Sequence, residues 1–128
     1  MRTILVADDD KTCRDSIQKV FEREGYTVQT AENVDGALIA FGAHHFDLVV
    51  SDYRMPGRSG IDLLTELRRQ GSLVPVLLIS AYADASVHDA LLRFGGLEVL
   101  KKPIRRQELI AQAARIVGGE YVRSRCHL

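Results

Sequence analysis

The chain has 128 residues, of which 46% are hydrophobic and 27% are charged, so it is long enough to form one domain with its own core. Its 17 basic and 17 acidic residues give a formal net charge of zero, which argues against nucleic acid or an anionic membrane surface as the partner. We expect a cytoplasmic protein, because the sequence contains no apolar run of transmembrane length and its first residues lack the layout of a secretory signal.

Short apolar runs alternate with helical periodicities along the chain. The apolar runs predict strands at residues 3–7, 26–31, 47–52, 74–81 and 97–103. Apolar residues three or four positions apart predict helices between them: one ending before Gly25, one at 34–43, one ending before Gly71, one at 86–94 and one at 107–117. Five strands and five helices in strict alternation predict an α/β fold, in which helices cover both faces of a parallel sheet.

Polar residues stand where four of the five predicted strands end. Asp8 and Asp9 follow the first strand, and Asp52, Ser80 and Lys102 end the third, fourth and fifth. Ligands of open parallel sheets bind beyond the carboxyl ends of the strands. We therefore expect these side chains to converge on one crevice.

Three consecutive carboxylates, Asp8 to Asp10, lie at the mouth of this crevice. Two unit charges ~4 Å apart repel by roughly 4 kcal/mol at an effective dielectric near 20, which is large beside a domain stability of about 5–15 kcal/mol. We interpret Asp10 as the N-cap of the first helix. For Asp8 and Asp9, either protons are shared within a coupled set or a divalent ion relieves the repulsion, and oxygen ligands favour Mg²⁺.

The ordered set of motifs resembles the response-regulator receiver domain of bacterial two-component signalling. It consists of "DDD" after the first strand, "DYRMPGRSG" after the third, "SA" after the fourth and "KKP" after the fifth. The resemblance implies a flavodoxin-like, doubly wound sheet of five parallel strands in the order 2-1-3-4-5. We expect the receiver domain at residues 1–119 and a loosely ordered tail at 120–128, because the tail lacks periodicity.

The same resemblance implies a role for each strand-end group. Asp52 would be the phosphoacceptor, taking a phosphoryl group from a phosphohistidine of a sensor histidine kinase or a phosphotransfer protein. Mg²⁺ would be held by Asp8, Asp9, Asp52 and the backbone carbonyl of Arg54.

Two further groups would act on the phosphoryl oxygens, and two would modulate the site. Lys102 would pair with these oxygens and Ser80 would donate a hydrogen bond to one of them. Arg54 and Tyr82 would flank the path of attacking water and so set the lifetime of the aspartyl phosphate. Pro103 would commonly follow a cis peptide bond.

The sequence departs from the family pattern at Val99, three residues before Lys102, where an aromatic residue is usual. No ring at this position can report the state of Ser80. The output is expected to pass to a downstream protein or a C-terminal effector domain, with a possible phosphorylation-dependent homodimer. Whether the chain is a stand-alone regulator or the front of a longer transcription factor stays open.

Two other functions compete with a signalling switch that catalyses only its own phosphorylation and dephosphorylation. One is a Mg²⁺-dependent phosphatase with an aspartate nucleophile, but Arg54 stands where such an enzyme needs a second acid. The other is an interaction module that is independent of phosphorylation. We expect His44 and His45 to be surface residues, because no third ligand is spaced for a metal, and Arg68 and Arg69 to lie on a solvated face.

Overall fold

The structure is a computed structural model, and it describes residues 2–81 and 85–118. Strands and helices alternate as the sequence predicts. In chain order they are β1 (Thr3–Ala7), α1 (Lys11–Arg23), β2 (Thr27–Ala31), α2 (Val34–Ala43), β3 (Leu48–Asp52), α3 (Gly60–Arg69), β4 (Val76–Ser80), α4 (Ala85–Arg93), β5 (Glu98–Lys101) and α5 (Arg106–Val117).

The largest differences from the predicted bounds occur beside prolines. The fourth strand begins at Val76 rather than at residue 74, after Pro75, and the fifth ends at Lys101, before Pro103. Proline has no backbone N–H to donate to a neighbouring strand, so neither proline extends the sheet.

The five strands form one parallel sheet in the order β2-β1-β3-β4-β5. This confirms the predicted flavodoxin-like arrangement. All strands run the same way, so their carboxyl ends share one edge, and the switch in strand order lies between β1 and β3. That edge is where the predicted site residues belong.

Each face of the sheet has its own hydrophobic layer, because successive side chains of a strand point to opposite faces. In β1, Ile4 and Val6 pack with the layer under α1 and α5, whereas Leu5 and Ala7 pack with the layer under α2, α3 and α4. The inner strands β1, β3 and β4 are therefore mainly apolar rather than alternating, which is typical of strands buried on both faces, whereas the edge strands β2 and β5 carry exposed polar residues.

Polar caps set the starts of α1 and α3. The Asp10 carboxylate accepts a hydrogen bond from the backbone N–H of Thr12 at 3.0 Å, which confirms Asp10 as the N-cap of α1. Ser59 and Asp62 form a reciprocal capping box at the start of α3. These caps hold the first turns of α1 and α3 directly beside the carboxyl ends of β1 and β3.

Arg68 corrects the sequence analysis, which placed it on a solvated face. Its guanidinium donates to the backbone carbonyls of Ser72 at 3.1 Å and Val74 at 2.9 Å, and to those of Phe94 at 3.1 Å and Gly95 at 3.0 Å. Arg68 thus ties the loop after α3 to the loop after α4.

Among the described residues, no helix has the length and apolar character needed to span a membrane.

Candidate functional site

The predicted residues meet at the carboxyl edge of the sheet. Asp8 directly follows β1, Asp52 and Ser80 are the last residues of β3 and β4, and Lys102 directly follows β5. Asp8, Asp52 and Ser80 are buried, with relative exposures of 1%, 7% and 1%. The crevice therefore collects polar groups that are largely withdrawn from water.

Three carboxylates form the centre of the crevice. Asp8, Asp9 and Asp52 each place an oxygen so that the three oxygens lie within 4.8 Å of one another. Asp9 is exposed, whereas the other two are buried. A set of hard oxygen ligands at this spacing can hold a divalent cation.

Every polar group of Asp8 except Oδ2 forms a hydrogen bond. Its backbone N–H donates to the carbonyl of Ala31 at 3.0 Å, and its Oδ1 accepts from the backbone N–H of Asp10 at 2.9 Å. Its own carbonyl accepts from Nη1 of Arg14 at 2.9 Å. Its Oδ2 is buried without a hydrogen-bond partner, although buried polar atoms are nearly always bonded. This orphaned oxygen in an acidic cluster fits a metal ligand.

Lys102 is the cation that faces the cluster. Its Nζ lies 3.2 Å from Oδ1 of Asp52 and 3.7 Å from Oδ2 of Asp8. Burial lowers the pKa of Lys102, but the carboxylates of Asp8 and Asp52 raise it by more, so its net pKa lies above the ordinary value. Lys102 therefore stays charged. The peptide bond between Lys102 and Pro103 is cis, as the resemblance implies.

Asp52 resists ionisation in this crevice. Burial is the largest cause that raises its pKa and the nearby Asp8 raises it further, while Lys102 acts in the opposite direction. The net result is a pKa above the ordinary aspartate value. Extra positive charge near Asp52 would therefore favour its ionised form.

The backbone of Asp52 leaves no room for a side chain at Gly60, the first residue of α3. A Cβ atom at Gly60 would lie 2.6 Å from the carbonyl oxygen of Asp52 and 2.8 Å from a methyl group of Leu78. Glycine at this position lets α3 start close to β3. The close approach keeps the end of β3 packed against the first turn of α3.

The remaining predicted residues are placed as follows. The backbone carbonyl of Ser80 accepts from the N–H of Lys102 at 2.9 Å, which links the ends of β4 and β5. Arg54 is exposed in the loop after β3, and Tyr82 lies outside the described residues. Val99 is half-buried and packs against the layer under α2, α3 and α4. His44 and His45 are exposed, as the sequence predicts.

Two residues of α1 belong to this region but were not predicted as site residues. Burial and the neighbouring Asp8 carboxylate raise the pKa of the Cys13 thiol to about 12. Cys13 and Lys102 also line a cavity of about 610 Å³ beside α1 and the start of α5. Arg14 bonds the Asp8 carbonyl, as described above. Their positions three and four residues after the Asp10 cap are the sequence signal that could have placed them on this face.

Comparisons with known proteins show the family to which the chain belongs. The family model described as the response regulator receiver domain matches residues 4–114. The chain belongs to this family: it is the receiver domain of a two-component response regulator, not a classical enzyme.

Relatives of the chain carry the same assignment. PmrA, a response regulator protein of Pseudomonas aeruginosa, is 39% identical over 109 residues, which cover 85% of this chain and 49% of PmrA. The receiver domain of the Francisella response regulator 1452 is 32% identical, with a TM-score of 0.86 over 92% of this chain and 98% of that one. The chain spans about half the length of curated relatives such as PmrA.

One similar response regulator was solved with bound ligands. The response regulator TrrA of Thermotoga maritima was solved in complex with Mg²⁺ and BeF. It is 30% identical to this chain, with a TM-score of 0.82 over 91% of this chain and 99% of that one.

Proposed function

We propose that Asp52 accepts a phosphoryl group from a phosphohistidine of a sensor histidine kinase or a phosphotransfer protein, in a Mg²⁺-dependent reaction. The observation that carries this proposal is the position of Asp52, buried at the end of β3 with the Asp8 and Asp9 carboxylates within 4.8 Å and Lys102 at 3.2 Å. Asp8 shares these neighbours, but its oxygen lies farther from Nζ of Lys102, at 3.7 Å.

In the proposed transfer, an ionised oxygen of Asp52 attacks the phosphorus of the phosphohistidine. The new bond joins phosphorus to the Asp52 oxygen, the bond from phosphorus to the imidazole nitrogen breaks, and the released imidazole takes up a proton from water. The product is an aspartyl phosphate. Asp52 must be unprotonated for the attack, so the cations that face it promote the reaction.

Asp8, Asp9, Asp52 and the backbone carbonyl of Arg54 are the proposed ligands of Mg²⁺. The orphaned Oδ2 of Asp8 supports this assignment, as does the Mg²⁺–BeF complex of the similar receiver TrrA. When bound, the ion neutralises charge on the carboxylates and on the phosphoryl oxygens. Asp8 is restrained by three hydrogen bonds, and its Oδ2, which accepts no hydrogen bond, lies 3.7 Å from Nζ of Lys102.

Lys102 and Ser80 are the proposed partners of the phosphoryl oxygens. Lys102 already lies next to Asp52, and its raised pKa keeps it protonated. Ser80 ends the neighbouring strand and is buried. Phosphoryl transfer needs mainly positioning and charge neutralisation from the protein, and these two residues supply both.

Loss of the phosphoryl group is the second self-catalysed step of the proposal. Water would attack the phosphorus, return Asp52 to its carboxylate and release inorganic phosphate. Arg54 and Tyr82, each two residues beyond a site residue, are proposed to control how easily that water reaches the phosphorus. Their size and charge would then set the lifetime of the signal.

The output of the switch is proposed to be a partner protein or a C-terminal effector domain. A phosphoryl group adds close to two negative charges, which draws Ser80 and Lys102 towards Asp52 and biases the packing of α4, β5 and α5. The receiver is proposed to span residues 1–119, with a tail at 120–128. Because its phosphodonor would be a kinase domain inside the cell, we place it in the cytoplasm, with a phosphorylation-dependent homodimer as one form of output.

The proposal is tested with acetyl phosphate and Mg²⁺, followed by mass spectrometry of the intact protein. The wild type should gain one phosphoryl group that hydroxylamine removes, and Asp52→Asn should gain none, with an unchanged circular dichroism spectrum. Asp89→Asn is the control, because Asp89 is an exposed aspartate on α4. Phosphorylation that persists in Asp52→Asn would place the acceptor elsewhere.

A further inference from the structure

Arg14 is a basic residue beside an acidic cluster, yet its observed contact is not with a carboxylate. Its Nη1 donates to the backbone carbonyl of Asp8 at 2.9 Å, and the side chain is partly buried. That carbonyl belongs to the peptide that joins Asp8 to Asp9. The guanidinium therefore holds the chain between two of the three clustered acids.

The restraint matters because the loop between β1 and α1 is short. Asp8 is anchored at its N–H by Ala31 of the neighbouring strand and at Oδ1 by the N–H of Asp10. Neither bond fixes the orientation of the Asp8–Asp9 peptide on its carbonyl side. Arg14 supplies that missing restraint, because it reaches back from the first turn of α1.

We propose that Arg14 is a positioning residue of the metal site, which fixes the Asp8–Asp9 peptide so that both carboxylates face the divalent cation. This inference rests on the proposed function, because it assigns Arg14 a role at the proposed Mg²⁺ site. Groups that orient metal ligands without touching the metal typically change metal affinity by about 10–100-fold when they are removed. The orphaned Oδ2 of Asp8 is the atom whose aim depends on this restraint.

Charge and positioning predict opposite results when Arg14 is neutralised. If Arg14 acted only through its positive charge, its removal would lessen the repulsion of Mg²⁺ and tighten binding. If it positions the Asp8–Asp9 peptide, its removal weakens binding in spite of the charge effect. The sign of the change in affinity therefore separates the two roles.

The test is a calorimetric titration of Mg²⁺ into the unphosphorylated protein. Arg14→Gln should weaken the affinity by about 10-fold or more. Lys19→Gln is the matched control, because it removes one positive charge from an exposed position of the same helix and should leave binding unchanged or slightly tighter. Arg14→Lys should recover most of the affinity, since one ammonium N–H can replace the single bond to the Asp8 carbonyl.

Activity gives a second readout that a general loss of stability would not reproduce. Labelling of Arg14→Gln by acetyl phosphate should be slow at limiting Mg²⁺ and reach the wild-type rate at saturating Mg²⁺. If Arg14→Gln does not fold in Mg²⁺-free buffer, Arg14→Met replaces it, because methionine keeps an unbranched stem and lacks a donor.

Three outcomes would overturn the role of Arg14. They are a wild-type or tighter Mg²⁺ affinity in the variant that lacks a donor, an affinity of Arg14→Lys no better than that of Arg14→Gln, and a labelling defect that persists at saturating Mg²⁺. Each leaves the proposed function standing when the wild type binds Mg²⁺ and is labelled at Asp52. Absence of Mg²⁺ binding by the wild type would overturn both.

Discussion

Asp52 is held in a place where its charge is unfavourable in the absence of a metal ion. Its pKa is raised, mainly by burial and then by Asp8, and Lys102 only partly offsets these effects. A carboxyl group whose pKa is higher in the folded than in the unfolded state stabilises the fold while it is protonated. That contribution is complete below the unfolded pKa and is lost as the pH rises through the folded pKa.

We therefore expect Asp52→Asn to raise the melting temperature at neutral pH in Mg²⁺-free buffer. The difference should shrink as the pH falls towards the ordinary aspartate range near ~4, where the wild-type side chain is also neutral. Thermal unfolding followed by circular dichroism checks this, with Asp89→Asn as the control. A lower melting temperature for Asp52→Asn at neutral pH would show that the ion pair with Lys102 outweighs burial and repulsion.

Lys102 has a separable role, because it faces the carboxylates but is not among the proposed metal ligands. Lys102→Ala should still bind Mg²⁺, since the three carboxylates remain. It should lose the changes in amide chemical shift of α4 and β5 that beryllofluoride is expected to induce in the wild type, where Lys102 is drawn to the phosphoryl mimic. Lys101→Ala, at the exposed neighbouring position, is the control, and a normal response of Lys102→Ala would remove this lysine from the switch.

The sequence predicted the convergence of the acidic and basic site residues because topology alone brings strand ends to one edge. The predicted placement of the site residues did not depend on the details of any loop; these residues are Asp8, Asp9, Asp52 and Lys102. The contacts of Arg14 and Arg68 did depend on them, since each arginine bonds backbone carbonyls whose positions are known only once the loops are built. An arginine bound to carbonyls has no sequence signature that separates it from a solvated one.

At the scale of elements, the ends of α3 and α4 are joined by Arg68. The guanidinium bonds four carbonyls in two loops, and Gly95 in one of these loops has a φ of +77°, a conformation that suits glycine. These loops lie at the opposite ends of their helices from the crevice. The far end of α4 is thereby fastened, while its beginning lies closer to Ser80.

Arg68→Ala should destabilise the domain by roughly 2–3 kcal/mol, because it leaves several partly buried carbonyls without their charged donor. The matched control is Arg69→Ala, because Arg69 is 73% exposed and pairs with Glu66 on the surface of the same helix. That control should cost no more than about 0.5 kcal/mol. Urea denaturation measures both, and equal effects of the two substitutions would contradict the role given to Arg68.

The predicted element order was confirmed, because the inner strands are short, mainly apolar runs and helical periodicity separates them. The bounds were less predictable near Pro75 and Pro103. Each predicted strand included a proline, which has no backbone N–H to donate to the sheet, and a hydrophobic pattern carries no information about donors. The caps at Asp10 and Ser59 explain why α1 and α3 begin where they do.

At the scale of the whole molecule, the acidic crevice should make stability depend on divalent cations. A ligand that binds only the folded state at 100 times its dissociation constant stabilises by about 2.7 kcal/mol. Millimolar Mg²⁺ should therefore raise the melting temperature of the wild type, and it should do so much less for Asp9→Asn. An equal shift for the wild type and Asp9→Asn would indicate binding outside the acidic cluster, and no shift at all would count against the metal site.

The strand order followed from the family resemblance rather than from hydrophobic periodicity. Alternation of strands and helices predicts a parallel sheet, but it does not by itself choose between the possible orders of five strands. The motifs at the strand ends removed this ambiguity, because they are those of a family with one arrangement. The separation of the core into two layers then follows from burial of both faces.

These two layers also bear on how such a domain can diverge. The sheet keeps the side chains under α1 and α5 apart from those under α2, α3 and α4, so a substitution in one layer can be accommodated by its own neighbours. Natural variation could therefore reshape the surface of one side, and with it the choice of binding protein, while the other side and the chemistry at the sheet edge are inherited unchanged.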